Sequence, residues 1–138
     1  MKNILVLCTG NSCRSQMAHG YLTQFASADT IIYSAGVETH GLNSGAVATM
    51  AEDGIDISGH TSNHVDEYAG IDFHLILTVC DHARERCPVF PSMAEKVHIN
   101  FPDPSRFSGS EEEKKMEFRR VRNIIREFCR DLCNSEKL

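Results

Sequence analysis

The sequence has no apolar run approaching the ~20 residues of a membrane span, and its opening, Met1-Lys2-Asn3, lacks the pattern of a cleavable signal. These two absences lead us to expect a cytoplasmic protein with no membrane partner. Positive charge is not in excess: 14 Lys and Arg stand against 19 Asp and Glu, for a formal net charge of −5. That balance argues against nucleic acid as a main partner. Any anion site must then be a local positive field within a negative whole. No Cys-x2-Cys pair occurs, and the seven histidines fall into no trustworthy ligand spacing with cysteine or carboxylate. We therefore expect no metal centre and no cofactor. Linkers, repeats and low-complexity tracts are also missing. With 138 residues and 41% hydrophobic content, the chain suits one domain over residues 1–138, a proper core and a monomeric state.

What the sequence does have is thiols: Cys8, Cys13, Cys80, Cys87, Cys129 and Cys133. In a chain of this size without a secretion signal, we expect reduced thiols rather than structural staples. The most informative of them is Cys8. Ile4-Leu5-Val6-Leu7 reads as a short strand buried on both faces, and Cys8 stands at its carboxyl end. Thr9, Gly10, Asn11, Ser12 and Cys13 follow as a tight loop, and the pattern turns helical at Arg14 and Ser15.

Such a loop can aim its backbone N–H groups into one concavity opening onto a helix N-terminus, which is an anion site. Gly10 offers conformational freedom, and Asn11 tolerates left-handed φ. The same donors would stabilise a thiolate, moving Cys8 well below the ordinary thiol value of about 8.5. Ser15 is placed to donate to that thiolate. Arg14 offers a planar, permanently charged fork for two oxygens of a tetrahedral oxyanion.

Further along, the periodicity predicts a helix over Ser15 to Ala28, a strand over Thr30 to Ala35 and a helix over Ser44 to Asp53. A short helix follows over Asn63 to Tyr68, then a buried strand over Ile71 to Val79 that delivers Cys80. The polar segment from Cys80 to Cys87 reads as a mobile helical turn. A last strand covers Lys96 to Phe101 and ends at Pro102-Asp103-Pro104. The final helix, Ser110 to Leu132, turns Phe118, Val121, Ile125, Phe128 and Leu132 inward, and places Cys129 and Cys133 on its flank as oxidisable surface thiols. Cys13 reads as a packing residue. Strands alternating with helices imply an α/β fold, an open parallel four-stranded sheet with helices on both faces. Ligands in such sheets bind beyond the strand carboxyl ends, where Cys8, Cys80 and Asp103 all fall.

The run Cys-Thr-Gly-Asn-Ser-Cys-Arg-Ser-Gln-Met-Ala, with Asp-Pro at 103–104, resembles the low-molecular-weight protein tyrosine phosphatase superfamily. More closely, it resembles the thioredoxin-coupled arsenate reductases built on that fold. The likeness extends to Tyr33-Ser34-Ala35-Gly36, Ile55-Asp56-Ile57-Ser58 and the pair Cys80 and Cys87. Gln16 stands where phosphatases of this fold usually have proline, and Ser105-Arg106 follow the acid where they usually have tyrosines.

The resemblance implies a cascade. Cys8 attacks arsenate held by the loop N–H groups and Arg14, while Asp103 protonates the leaving oxygen. Cys80 then attacks the sulfur of the adduct, Cys87 attacks Cys80, and thioredoxin reduces the resulting disulfide. Phosphate and sulfate are the competing oxyanions it suggests. The alternative is a phosphotyrosine phosphatase, in which water releases Cys8 from a phosphoenzyme. A third reading, a non-catalytic oxyanion or redox sensor, would need a defective site, yet Cys8, Arg14 and Asp103 are all present. Some relatives hold a potassium ion beside the loop, partly by carboxylates. Here Asn11, Ser34 and Thr61 are kept but His19 and Asn63 stand at the matching positions, so we expect no activating potassium.

Overall fold

The structure is a computed structural model and describes residues 2–80 and 90–135. Cys87, and with it the polar turn expected after Cys80, lies outside the described residues. The first strand, β1 (Lys2–Cys8), carries Ile4, Leu5, Val6 and Leu7 with no exposed surface, as an apolar run buried on both faces demands. It is followed by α1 (Arg14–Phe25), β2 (Thr30–Gly36) and α2 (Ser44–Glu52). A short 3-10 helix (Val65–Tyr68) precedes β3 (Leu75–Thr78) and β4 (Glu95–His98). A second 3-10 turn (Pro104–Arg106) leads into α3 (Glu111–Cys133).

Four parallel strands lie in the order β2-β1-β3-β4. The chain leaves β1 for β2 on one side and returns to β3 on the other, so the crossover reverses at β1. Cys8, the last residue of β1, therefore sits at the switch point of the sheet. Ile4 and Val6 face α1, α2 and α3 through Met17, Tyr21, Leu22, Met50, Val121 and Ile125. Leu5 and Leu7 face the other way, onto Ala35, Phe73, Ile76 and Phe90, with Val65 and Tyr68 of the 3-10 helix packed alongside. Among the described residues, α-helices thus cover one face and a 3-10 helix the other.

Local chemistry sets the element ends. Asn43 caps α2 by accepting from Ala46 N at 3.0 Å. Ser110 and Glu113 form a reciprocal capping box at α3. The first helix stops at Phe25, three residues short of expectation. Ala26 is already extended, and Ser27 bonds instead to Asp29 and Thr30. The third strand begins at Leu75 rather than Ile71. The apolar residue Phe73 is buried by stacking edge-on against Tyr33 and Phe90, not by sheet pairing. The fourth strand ends at His98, after which the chain turns so that the Phe101 carbonyl meets Arg14.

One expectation is overturned. Cys129 is not a surface thiol on the flank of α3: it has no exposed surface and packs in the main core, with its Sγ 3.9 Å from the Ala18 carbonyl. The inward stripe of α3 includes it, because Ile125 and Leu132, four before and three after, face the same way. Burial raises the thiol's pKa, and it raises that of the half-buried Cys133 as well.

Candidate active site

Residues 9–13 curl between the end of β1 and the start of α1. Asn11 takes φ 48, the left-handed conformation that an asparagine tolerates. Gly10 serves differently from expectation. It is not among the positive-φ residues; instead, a Cβ there would run into the His40 ring. At Gly36 a Cβ would lie 2.5 Å from the Thr9 carbonyl and 3.0 Å from Asn11 N, so glycine lets the loop rest on the end of β2.

The loop frames a cavity of about 120 Å³ lined by Cys8, Thr9, Gly10, Ser12, Cys13 and Arg14 on its inner wall. Its rim is made by His40, Asp103, Ser105 and Arg106. Arg14 is buried. One guanidinium nitrogen donates to the Phe101 carbonyl at 3.3 Å, and another lies 3.6 Å from an Asp103 carboxylate oxygen. Asp103 also accepts from Ser105 N at 3.0 Å and Ser105 Oγ at 2.6 Å, capping the 3-10 turn, and lies 3.5 Å from Arg106 Nε. A buried thiol, a buried guanidinium and a carboxyl group thus converge on one small space. Cys13 contributes wall: desolvation raises its thiol pKa, and the nearby Asp103 adds to this while Arg14 opposes it.

Two of the expected residues, Asn11 and Ser15, work from behind the loop rather than from the cavity. Asn11 Nδ2 donates to Ser15 Oγ at 2.9 Å, and Asn11 Oδ1 accepts from Asn63 N at 2.8 Å. Gln16 Nε2 bridges the Asn11 carbonyl at 3.1 Å and the Thr61 carbonyl at 3.0 Å, and its Oε1 accepts from His60 Nδ1 at 3.0 Å. His60 in turn lies against His19, with ring centroids 4.3 Å apart, and a 2.8 Å hydrogen bond links His19 to Ser34 Oγ. Burial, with the neighbouring His60, lowers the His19 pKa to about 4; His60 is lowered by burial too. Paired, desolvated rings of this kind are neutral near pH 7. Among the described residues no group of three or more His, Cys, Asp or Glu could hold a metal ion.

Cys80 follows β3, the neighbour of β1. Leu7 is paired with Thr78, and Val79 N donates to the Leu7 carbonyl at 2.9 Å. Cys80 is buried in the same core cluster as Cys8 but does not line the cavity. It is part of a disulfide, whereas Cys8, Cys13, Cys129 and Cys133 are thiols. The cavity is also lined by His40, Ser105 and Arg106, which are outside the site residues expected from the sequence. For Arg106 a signal existed, three residues past Asp103 on a turn. For His40 there was none, since it reaches the cavity only through the pairing of β1 with β2.

Residues 3–138 match the family described as low molecular weight phosphotyrosine protein phosphatase. Arsenate reductases of Bacillus subtilis and Halalkalibacterium halodurans are each 48% identical over 124 residues, covering 90% of this chain and 89% of the relative. A solved arsenate reductase in a phosphate-binding state superposes with a TM-score of 0.79 at 28% identity, over 97% of this chain and 98% of that one.

Proposed function

This chain belongs to the low molecular weight phosphotyrosine protein phosphatase family, and on that premise we propose that it reduces arsenate to arsenite. The observation that carries the reading is the pairing of two sites at adjacent strand ends. Cys8 faces a cavity with Arg14 and Asp103, and a second cysteine, Cys80, closes the neighbouring strand in the same core cluster. The names of the relatives support it.

In the proposed chemistry, Arg14 and the N–H groups of residues 9–13 hold the tetrahedral anion against Cys8. The Cys8 thiolate forms a sulfur–arsenic bond, and an arsenate oxygen departs as water with a proton from Asp103. Acid assistance of this kind is worth ~10²–10⁴-fold in rate. The Cys80 thiolate then attacks Cys8 Sγ. A disulfide forms, the sulfur–arsenic bond breaks, and its electron pair stays with arsenic, which leaves as arsenite. Two thiols supply the two electrons. Cys87 attacks Cys80, restoring the Cys8 thiolate, and a dithiol reductant of the thioredoxin type opens the Cys80–Cys87 bridge. Phosphate and sulfate share the arsenate shape and compete for the cavity. We propose a cytoplasmic activity. No helix among the described residues is long and apolar enough to cross a membrane.

The phosphatase alternative uses the same first step, because Cys8, Arg14 and Asp103 suit a phosphoryl group equally. The two part at the second step. We expect arsenate-dependent NADPH oxidation in the presence of thioredoxin and thioredoxin reductase, and loss of multiple turnover in Cys87→Ser. Full turnover in Cys87→Ser contradicts the cascade. Steady aryl phosphate hydrolysis with no arsenate-dependent oxidation favours the phosphatase.

A further inference from the structure

Asp103 and Arg106 reach the cavity from the segment after β4, at one edge of the sheet. His40 reaches it from the segment after β2, at the opposite edge. Cys8 lies between. The segment carrying His40 is tied to the loop at two points: Glu38 N donates to the Thr9 carbonyl at 3.0 Å, and His40 N donates to the Gly10 carbonyl at 3.1 Å. The ring is also oriented. Its Nε2 lies 2.6 Å from Glu38 Oε2, and its Nδ1 is the ring atom nearest the empty Cβ position of Gly10. A carboxylate can only accept, so Nε2 carries a proton. Nδ1 is the ring nitrogen left for a ligand, and the ring packs its face beside Nδ1 over Gly10.

We propose that His40, steered by Glu38, is a substrate-binding residue that donates a hydrogen bond from its imidazolium into the oxyanion cavity, opposite Asp103, and sets affinity for tetrahedral oxyanions. This deepens the reading of the site given above and rests on it for the identity of the anion. His40 and Arg14 both line the cavity, and Gly10 is the residue that leaves room for the ring. The charged and titratable groups facing His40 are Glu38 on its own segment and, around the cavity, Cys8, Cys13, Arg14, Asp103 and Arg106. Because His40 is more than half exposed, the contribution stands at the low end for a charge-assisted bond, about tenfold in affinity.

The test is protection of the reduced protein's Cys8 from iodoacetamide by inorganic phosphate, with labelling read by mass spectrometry. The phosphate concentration giving half protection is expected to rise about tenfold in His40→Ala, and by a smaller factor in Glu38→Gln, which keeps the ring but loosens its steering. An unchanged half-protecting concentration in His40→Ala overturns the inference. If His40→Ala fails to fold, His40→Gln replaces it: a loss is expected because glutamine carries no charge, and equality with wild type overturns the proposal. Phosphate protection needs no arsenic chemistry. A wild type that fails to reduce arsenate therefore defeats the proposed function while leaving this experiment readable.

Discussion

Cys8 and Cys129 are buried to nearly the same degree, 3% and 0% exposed, and belong to the same core cluster. Their surroundings differ in one respect. Cys8 ends a strand, and the chain beyond it curls away to leave a cavity bounded by Arg14 and Asp103. Cys129 lies within a helix, packed in the core with its sulfur 3.9 Å from the Ala18 carbonyl. Burial there raises the thiol's pKa, and the neighbouring Cys133 adds to the rise. Cys13 is intermediate: it lines the cavity, but desolvation and Asp103 outweigh Arg14. In the proposed function, then, depth in the core does not select the nucleophile; the strand end does, because the sheet leaves space and donors beyond it.

The sharpest way to break this comparison is to exchange sulfur for oxygen at both places. Cys8→Ser should lower arsenate-dependent turnover by roughly 10⁴-fold or more, as loss of a nucleophile does, with little change in urea midpoint. Cys129→Ser should do the opposite. It buries a hydroxyl in an apolar site at a cost of about 1–3 kcal/mol in urea unfolding, with turnover per folded molecule unchanged. A Cys129→Ser variant that unfolds like wild type but loses turnover contradicts the division.

A smaller effect is expected behind the loop. His19 in the folded state is lowered from 6.5 to about 4 by burial and by His60. Between those values the unfolded chain binds more protons than the folded one, so stability increases with pH and is lost as pH falls through the window. From about pH 7 to about pH 5 the loss attributable to His19 is about 2 kcal/mol. Urea midpoints measured across that range should converge for wild type and His19→Gln at the acidic end, where the variant has no such loss. Parallel curves contradict the assignment.

The nucleophile loop was legible because its signal is local. An apolar run ending in Cys8, a five-residue loop and Arg14 at a helix start mark a strand, a turn and the proposed anion site within fifteen residues of sequence. The sheet was legible from the alternation of elements, although Ile71 to Phe73 read as strand because burial by aromatic stacking leaves the same apolar pattern as burial in a sheet. His40 was not legible, since a histidine in a turn-rich passage acquires meaning only when parallel pairing carries it to Gly10. Cys129 was misread for a different reason. It lies four residues after Ile125 and three before Leu132, which places it on the inward stripe.

The central claim is that a second thiol, rather than water, releases Cys8. It is tested most directly by giving fully reduced protein one equivalent of arsenate without reductant and mapping disulfides under non-reducing conditions, with arsenite quantified in parallel. The account predicts arsenite together with a Cys80–Cys87 bridge in wild type, and arsenite together with a trapped Cys8–Cys80 bridge in Cys87→Ser. Arsenite released while Cys80 remains a thiol contradicts it.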